Sequence, residues 1–200
     1  EEGFHPATDI RFCFTADEEV GGTGAKALCD GGFLDSVTEL VVVKPTNGRI
    51  GVTGKGALWL RICAHGSNAH AAMPDRGVNA LEQTTVLARN ISIRLKKEGK
   101  YPLLGPSTCV LTSLHGGIYP NVVPDYAEGC LDIRTSPRIG HGRLLEEIDA
   151  MIRGQEEKNR PLRLEMEVRV DRPALGMDED APLVRRFRDI HKKLKLPWET

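Results

Sequence analysis

The sequence predicts an α/β layer interrupted by an inserted α+β domain, and three observations predict it. Before Pro45 a β-rich run, a Gly-rich helix entry and a second apolar run follow one another. From Lys55 to Asp171 the periodicities read strand, helix, strand, strand, helix, strand. A Pro-, Gly- and acid-rich linker from Arg172 to Pro182 then leads into one last helical stripe.

The first run is Ile10 to Thr15, which ends in the acidic turn Ala16-Asp17-Glu18-Glu19 and continues through Val20-Gly21-Gly22-Thr23-Gly24. That is strand, loop, helix start. Residues Thr23 to Leu28 are small or helix-compatible, and Gly31-Gly32 supplies a stop. Leu40 to Val43 is a continuous apolar run of the kind buried on both faces of a parallel sheet, broken by Pro45.

In the second region Leu58, Leu60 and Ile62 alternate with Trp59, Arg61 and Cys63, so this strand has two distinct faces. From Asn79 to Lys97 a helix is expected, with Leu81, Ala88, Ile91 and Leu95 on one stripe. Asn79 with Glu82 has the capping-box spacing, and Lys96, Lys97 and Gly99 mark the end. Ser107 to Leu114 and Tyr126 to Arg134 read as neighbouring antiparallel strands. Leu144, Ile148, Met151 and Ile152 form a second helical stripe. Leu162, Leu164, Met166, Val168 and Val170 then alternate strictly with Arg163, Glu165, Glu167 and Arg169, as a half-exposed strand does. This order is that of a ferredoxin-like fold, in which two helices cover one face of a four-stranded antiparallel sheet. The other face should meet water or a partner. The closing helix carries Leu183, Phe187, Ile190 and Leu194 on one side and is expected to rejoin the first layer. The expected domains are thus 1–54, 55–171 and 172–200.

With 200 residues, 27 Lys+Arg against 28 Asp+Glu and 40% apolar content, the chain has the composition of a soluble globular protein. A net charge of −1 supplies no broad basic field, which argues against nucleic acid and anionic membranes as partners. No stretch approaches the roughly 20 apolar residues of a spanning helix, and Glu1 to Asp9 lack a signal pattern. A cytoplasmic location is expected. The five cysteines, Cys13, Cys29, Cys63, Cys109 and Cys130, are odd in number and mostly flanked by apolar residues, which suits buried thiols in a reducing compartment.

For chemistry, the sharpest local feature is Asp17-Glu18-Glu19. Three adjacent carboxylates repel unless a cation compensates, so a metal ion or an arginine is the expected partner, with a solvated acidic turn as the alternative. His65 and His70 lack the spacing of a helical zinc motif. Gly21 to Gly24 lacks the Lys-Ser/Thr of a phosphate loop, no Gly-x-Ser-x-Gly elbow is present, and no cysteine has an obvious activating neighbour.

Taken together, Phe14 to Gly22, Lys55 to Leu60, Ala69-His70-Ala71-Ala72-Met73-Pro74, Gly77-Val78-Asn79-Ala80, Pro120-Asn121-Val122-Val123-Pro124 and Asp132-Ile133-Arg134 form an ordered series. In this series the chain resembles an internal portion of the co-catalytic zinc amidohydrolase and metallopeptidase family. That family includes aminoacylase, acetylornithine deacetylase, succinyl-diaminopimelate desuccinylase and related carboxypeptidases. The resemblance implies a zinc-exopeptidase-like α/β catalytic domain interrupted by a ferredoxin-like lid or dimerization domain. It implies Glu18 as general base and Glu19 as metal ligand, with zinc or cobalt, two ions per site in an intact member. It also implies that His70 reaches across a homodimer to polarise the scissile carbonyl, while Asn121 and Arg134 hold the carboxylate side of a small N-acyl amino acid or peptide. The family's upstream His-x-Asp, bridging Asp and C-terminal His have no counterpart within these residues. The slot before Pro45-Thr46, usually acidic, holds Lys44. Two readings follow: a metal-dependent hydrolase of amide bonds, or a non-catalytic fragment or degenerate member acting as a dimerization module.

Overall fold

A computed structural model of the chain describes residues 8–18 and 22–196. It divides into two compact units, residues 1–44 and 45–200.

Among the described residues of the first unit the one regular element is helix α1, Thr23–Asp30, entered through Gly22 in a left-handed conformation at φ 68°. Only a residue without a Cβ takes that conformation at little cost, so the glycine run sets the turn. The two expected strands do not form. Ile10 to Thr15 and Leu40 to Val43 enter no ladder among the described residues, and Phe14 and Val43 are 94% and 91% exposed. A run suited to burial on both faces becomes a strand only when neighbours satisfy its N–H and C=O groups, and among the described residues none does.

The second unit is built on β2 (Gly56–His65), β5 (Thr108–Gly116), β6 (Tyr126–Thr135) and β7 (Arg163–Arg172), in the order β5-β6-β2-β7 with every neighbour antiparallel. Helix α2 (Ala80–Lys96) lies between β2 and β5 in the chain, and α3 (His141–Lys158) between β6 and β7. The expected ferredoxin-like arrangement is therefore present. Short strands complete it: β1 (Thr53–Gly54) pairs with β8 (Leu175–Gly176), and β3 (Lys100–Tyr101) with β4 (Gly105–Pro106). Helix α4 (Pro182–Leu194) follows.

The core lies on one face of the sheet, where Leu58, Leu60 and Ile62 of β2 meet Leu131 and Ile133 of β6, Leu87, Ile91 and Leu95 of α2, and Leu144 and Ile148 of α3. Each is essentially inaccessible, and burial of each such side chain contributes about 1.5–3 kcal/mol. Helix α2 starts as its sequence predicts: the Asn79 side chain accepts from the N–H groups of Leu81 and Glu82.

Two expectations are corrected. Strict alternation placed Val170 beside Val168 on the core side of β7. A register shift where β7 passes Trp59 and Leu60 puts Val170 opposite Trp59, on the open face, and Asp171 opposite the buried Leu58. One extra residue at a bulge reverses every side chain beyond it. The last helix also turns differently. Its buried residues are Val184 and His191, while Ile190 and Leu194, on the expected apolar stripe, are exposed. Seven residues is two helical turns, so Val184 and His191 share one line, beside the stripe that hydropathy selects.

The two helices are clasped by Arg94 of α2, which donates from Nε (2.5 Å) and Nη2 (3.1 Å) to both carboxylate oxygens of Glu147 on α3 and from Nη1 to Glu98 at 2.7 Å. The hydrogen bond from Arg94 holds the Glu147 carboxyl below its ordinary range. A depressed carboxylate pKa stabilises the fold above the unfolded value and loses that contribution as pH falls through it. Arg94→Ala is accordingly expected to lower stability by about 1–2 kcal/mol at pH 7. In urea unfolding the difference between wild type and variant should shrink at about pH 3.

The thiols are not uniformly buried as expected. Cys13 and Cys29 are exposed, Cys63 is buried, and Cys109 and Cys130 are intermediate. Burial, aided by the charge of Asp132, pushes the Cys109 thiol up to about 12. It is an inert side chain rather than a nucleophile.

Candidate functional site

The residues singled out for chemistry fall at three places. The first is the acidic turn of the first unit. Asp17 takes φ 65° and accepts from the Thr23 hydroxyl at 2.6 Å, and its carbonyl accepts from Gly22 N–H at 2.6 Å. Glu18 accepts from the Lys44 ammonium at 2.6 Å. Glu19, the expected metal ligand, lies outside the described residues. The compensating cation is thus the lysine that stands in the usually acidic slot. An ammonium has no lone pair to offer a metal, and it occupies the carboxylate expected to serve as base. Among the described residues no three His, Cys, Asp or Glu side chains are grouped to hold an ion. This donor set does not fit a two-metal centre.

The second place is the loop after β2. Beyond the last sheet pair, His65 with Tyr126, the two chains keep pairing: Gly66 N–H donates to Asp125 C=O (2.7 Å), Val123 N–H to Ala69 C=O (2.8 Å) and Ala71 N–H to Asn121 C=O (2.9 Å). His70 bridges to Val122. His70 and Asn121, fifty-one positions apart in sequence, are therefore brought to one spot, and both are exposed. The loop closes on itself through reciprocal bonds between Ser67 and Val78, at 3.1 and 2.9 Å. The His70 ring is oriented as well, because Nδ1 accepts from Ala72 N–H at 3.1 Å. An accepting Nδ1 carries no proton, so the neutral ring presents Nε2–H as a donor. That is the group needed to polarise a carbonyl oxygen.

This geometry depends on Gly66, where an added Cβ would run into the backbone carbonyl oxygen of Val78. Gly66→Ala is expected to cost about 1–3 kcal/mol and to displace the loop, because rigid backbone must move to admit a methyl group. Thermal unfolding and the chemical shifts of His70 and Asn121 would report both effects.

The third place is Arg134, near the far end of β6. It stands eight residues beyond Tyr126, a rise of about 26 Å along an extended strand. A small substrate does not span that length, so one copy of the chain does not bring Arg134 together with His70 and Asn121. Arg134 donates from Nε and Nη2 to the two oxygens of Asp132, at 2.7 and 3.0 Å. This side-on pairing fixes the guanidinium plane while leaving the end-on Nη1 and Nη2 pair directed elsewhere. A planar fork held that way can take a second carboxylate.

The rest of the open face carries groups that sequence reasoning passed over. Arg61 donates to Glu128 at 2.5 Å and to Glu167 at 3.4 Å, and the Tyr126 hydroxyl approaches Glu128 at 3.3 Å. The Arg61 hydrogen bond lowers the Glu128 pKa. Period-two alternation places these side chains on one face, and the missing information was the strand order that makes them neighbours.

Residues 52–160 match the family model for the peptidase dimerisation domain. The chain belongs to that family. This chain is similar to a peptidase M20 domain-containing protein of Schizosaccharomyces pombe, at 29% identity over 69% of this chain and 34% of the relative. It is also similar to a Staphylococcus aureus protein named "probable succinyl-diaminopimelate desuccinylase", at 24% identity over 95% of this chain and 53% of the relative. The chain thus spans a third to a half of the curated relatives it matches. Among solved structures the aminopeptidase PepT of Bacillus cereus superposes with a TM-score of 0.63 at 21% identity, over 92% of this chain and 48% of that one. At that identity the likeness concerns the fold.

Proposed function

We propose that the chain is the lid and adjoining portion of a homodimeric hydrolase that cleaves an amide bond in a small N-acyl amino acid or peptide, with each site shared between two copies. The observation that carries this reading is the pairing of residues 69–71 with 121–123. It joins a histidine with a fixed Nε2–H donor to an asparagine amide. A strand's length away stands an arginine fork suited to a carboxylate. In the shared site His70 of one copy polarises the scissile carbonyl, and Asn121 beside it helps to hold the substrate's carboxylate side. The other copy's Arg134 takes the substrate carboxylate on its end-on pair. Glu18 serves as base once Lys44 is displaced from it.

The sheet edges support the dimer, and their composition favours one of them as the edge that forms it. Six of the ten residues of β7 are charged, and Arg163 pairs with Glu165 and Arg169 with Glu167 along it. Charged edges resist strand addition. Strand β5, TCVLTSLHG, carries no Lys, Arg, Asp or Glu, and beside it runs a groove against α2 lined by Ala88, Ile93, Cys109 and Leu111 together with Arg89 and Lys96 of the helix. A second copy laying its own β5 antiparallel along this edge would pair the open backbone groups and cover the groove.

The test is to express the complete open reading frame and assay hydrolysis of N-acyl amino acids. His70→Ala and Arg134→Ala should each reduce kcat/KM by about 100-fold or more, as expected for loss of an oxyanion donor or a carboxylate clamp. Activity indifferent to both would overturn the reading. A second reading, a non-catalytic dimerization module, is favoured by the Lys44 to Glu18 pair, which fills the acidic turn with the chain's own cation. Metal analysis separates the two. Near-stoichiometric zinc or cobalt in the purified protein argues against the module.

A further inference from the structure

The N-terminal turn of α3 buries a histidine that the proposed chemistry does not use. His141 has a side chain 4% exposed, with Nδ1 at 2.5 Å from Asp171 Oδ1 and Nε2 at 2.8 Å from Thr135 Oγ1. A carboxylate only accepts, so Nδ1 carries the proton, and in the neutral ring Nε2 accepts from the Thr135 hydroxyl. One imidazole thereby ties α3 to the last residue of β6 and to the end of β7. The start of β2 closes against the same place: a Cβ on Gly56 would stand 2.5 Å from Thr135 Oγ1 and 2.9 Å from Arg172 O. Directly beyond lie β1 and β8, paired Gly54 to Leu175 and Thr53 to Gly176. This two-stranded stalk carries both chain connections of the sheet. It is seated in turn on the loop before α3, since a Cβ on Gly176 would meet Pro137 at 2.9 Å.

We propose that His141 is a positioning residue that pins the root of the stalk and, through Thr135, the end of β6 that presents Arg134. Bending of the lid then occurs outside the β1 to β8 pair and not within it. The bulge in β7 serves this purpose, because it turns the Asp171 carboxylate to the helix-covered face where the ring lies. The link to substrate rests on the reading of Arg134 given above, whereas the pin itself does not.

Two measurements test it. In hydrogen exchange on the 200-residue chain, His141→Ala and the near-isosteric Thr135→Val should speed exchange of residues 54–57, 134–136 and 171–176 by about tenfold or more, leaving α2 and β5 unchanged. Asp171→Asn, which keeps an acceptor for Nδ1–H, should retain most of the protection, and Asp171→Val should not. Exchange that rises equally everywhere, or nowhere, overturns the pin. In the complete open reading frame, His141→Ala should raise KM several-fold for carboxylate-bearing substrates with kcat nearly unchanged. A fall in kcat at constant KM overturns the link to Arg134. Arg134→Ala is the control: if it leaves KM unmoved, the reading of Arg134 falls, and the exchange pattern alone decides the pin.

Discussion

Mixing His70→Ala chains with Arg134→Ala chains, each about 100-fold or more impaired alone, is expected to restore about a quarter of wild-type activity at subsaturating substrate, because random pairing makes half the dimers mixed and each mixed dimer holds one intact site of two. The logic follows from the position of the two residues at opposite ends of β6 and its attached loop. When a site takes Arg134 from one copy and His70 from the other, the mixed dimer has one site with both residues lost and one with both present. When both residues serve the same copy's site, every site in the mixed dimer lacks one of them. Recovery near zero would then be observed and the shared-site geometry abandoned. The measurement needs only titration of one impaired variant into the other after conditions that allow subunit exchange. Rescue should peak at equimolar mixture.

How far the molecule could be read in advance depended on the range of the interactions involved. The six main elements of the ferredoxin-like unit are set by local period and caps, and Asn79 capping α2 is a feature of four adjacent residues. The fates of Ile10 to Thr15 and Leu40 to Val43 are set by whether a neighbouring strand is there to pair, which no local pattern encodes. The buried link from Asp171 to His141 was invisible for a sharper reason. The alternation in β7 assigns Asp171 to the water side, and a single inserted residue opposite Trp59 and Leu60 reverses that assignment. As candidates, His70, Asn121 and Arg134 were legible from the ordered motifs. Their grouping was not, because it follows from strand order: β6 runs away from the loop that unites the first two.

The proposed dimer edge leads to the second large effect. Val110→Lys on β5 and Ile93→Glu on α2 are each expected to convert the dimer to monomer at micromolar concentration, raising its dissociation constant by about 10- to 100-fold. Both side chains are exposed in the single chain, Val110 at 54% and Ile93 at 46%, so replacing them removes little from the core. The monomer's stability should therefore change by no more than about 0.5 kcal/mol. In a two-fold arrangement each substitution enters the interface twice, and residues near the axis face their own copies, so the added charges repel across it. A charge in the middle of an edge strand is also what keeps an edge such as β7 from pairing. Val168→Lys on β7 is the control, since it adds the same charge to the other edge at a residue 42% exposed. Sedimentation at matched concentrations should show Val168→Lys dimeric with the β5 and α2 variants monomeric. The reverse pattern would move the interface to β7. Because the proposed site needs His70 from a second copy, loss of the dimer should abolish turnover in parallel with the change in mass, and turnover by a demonstrated monomer would contradict the shared site even where the edge assignment holds.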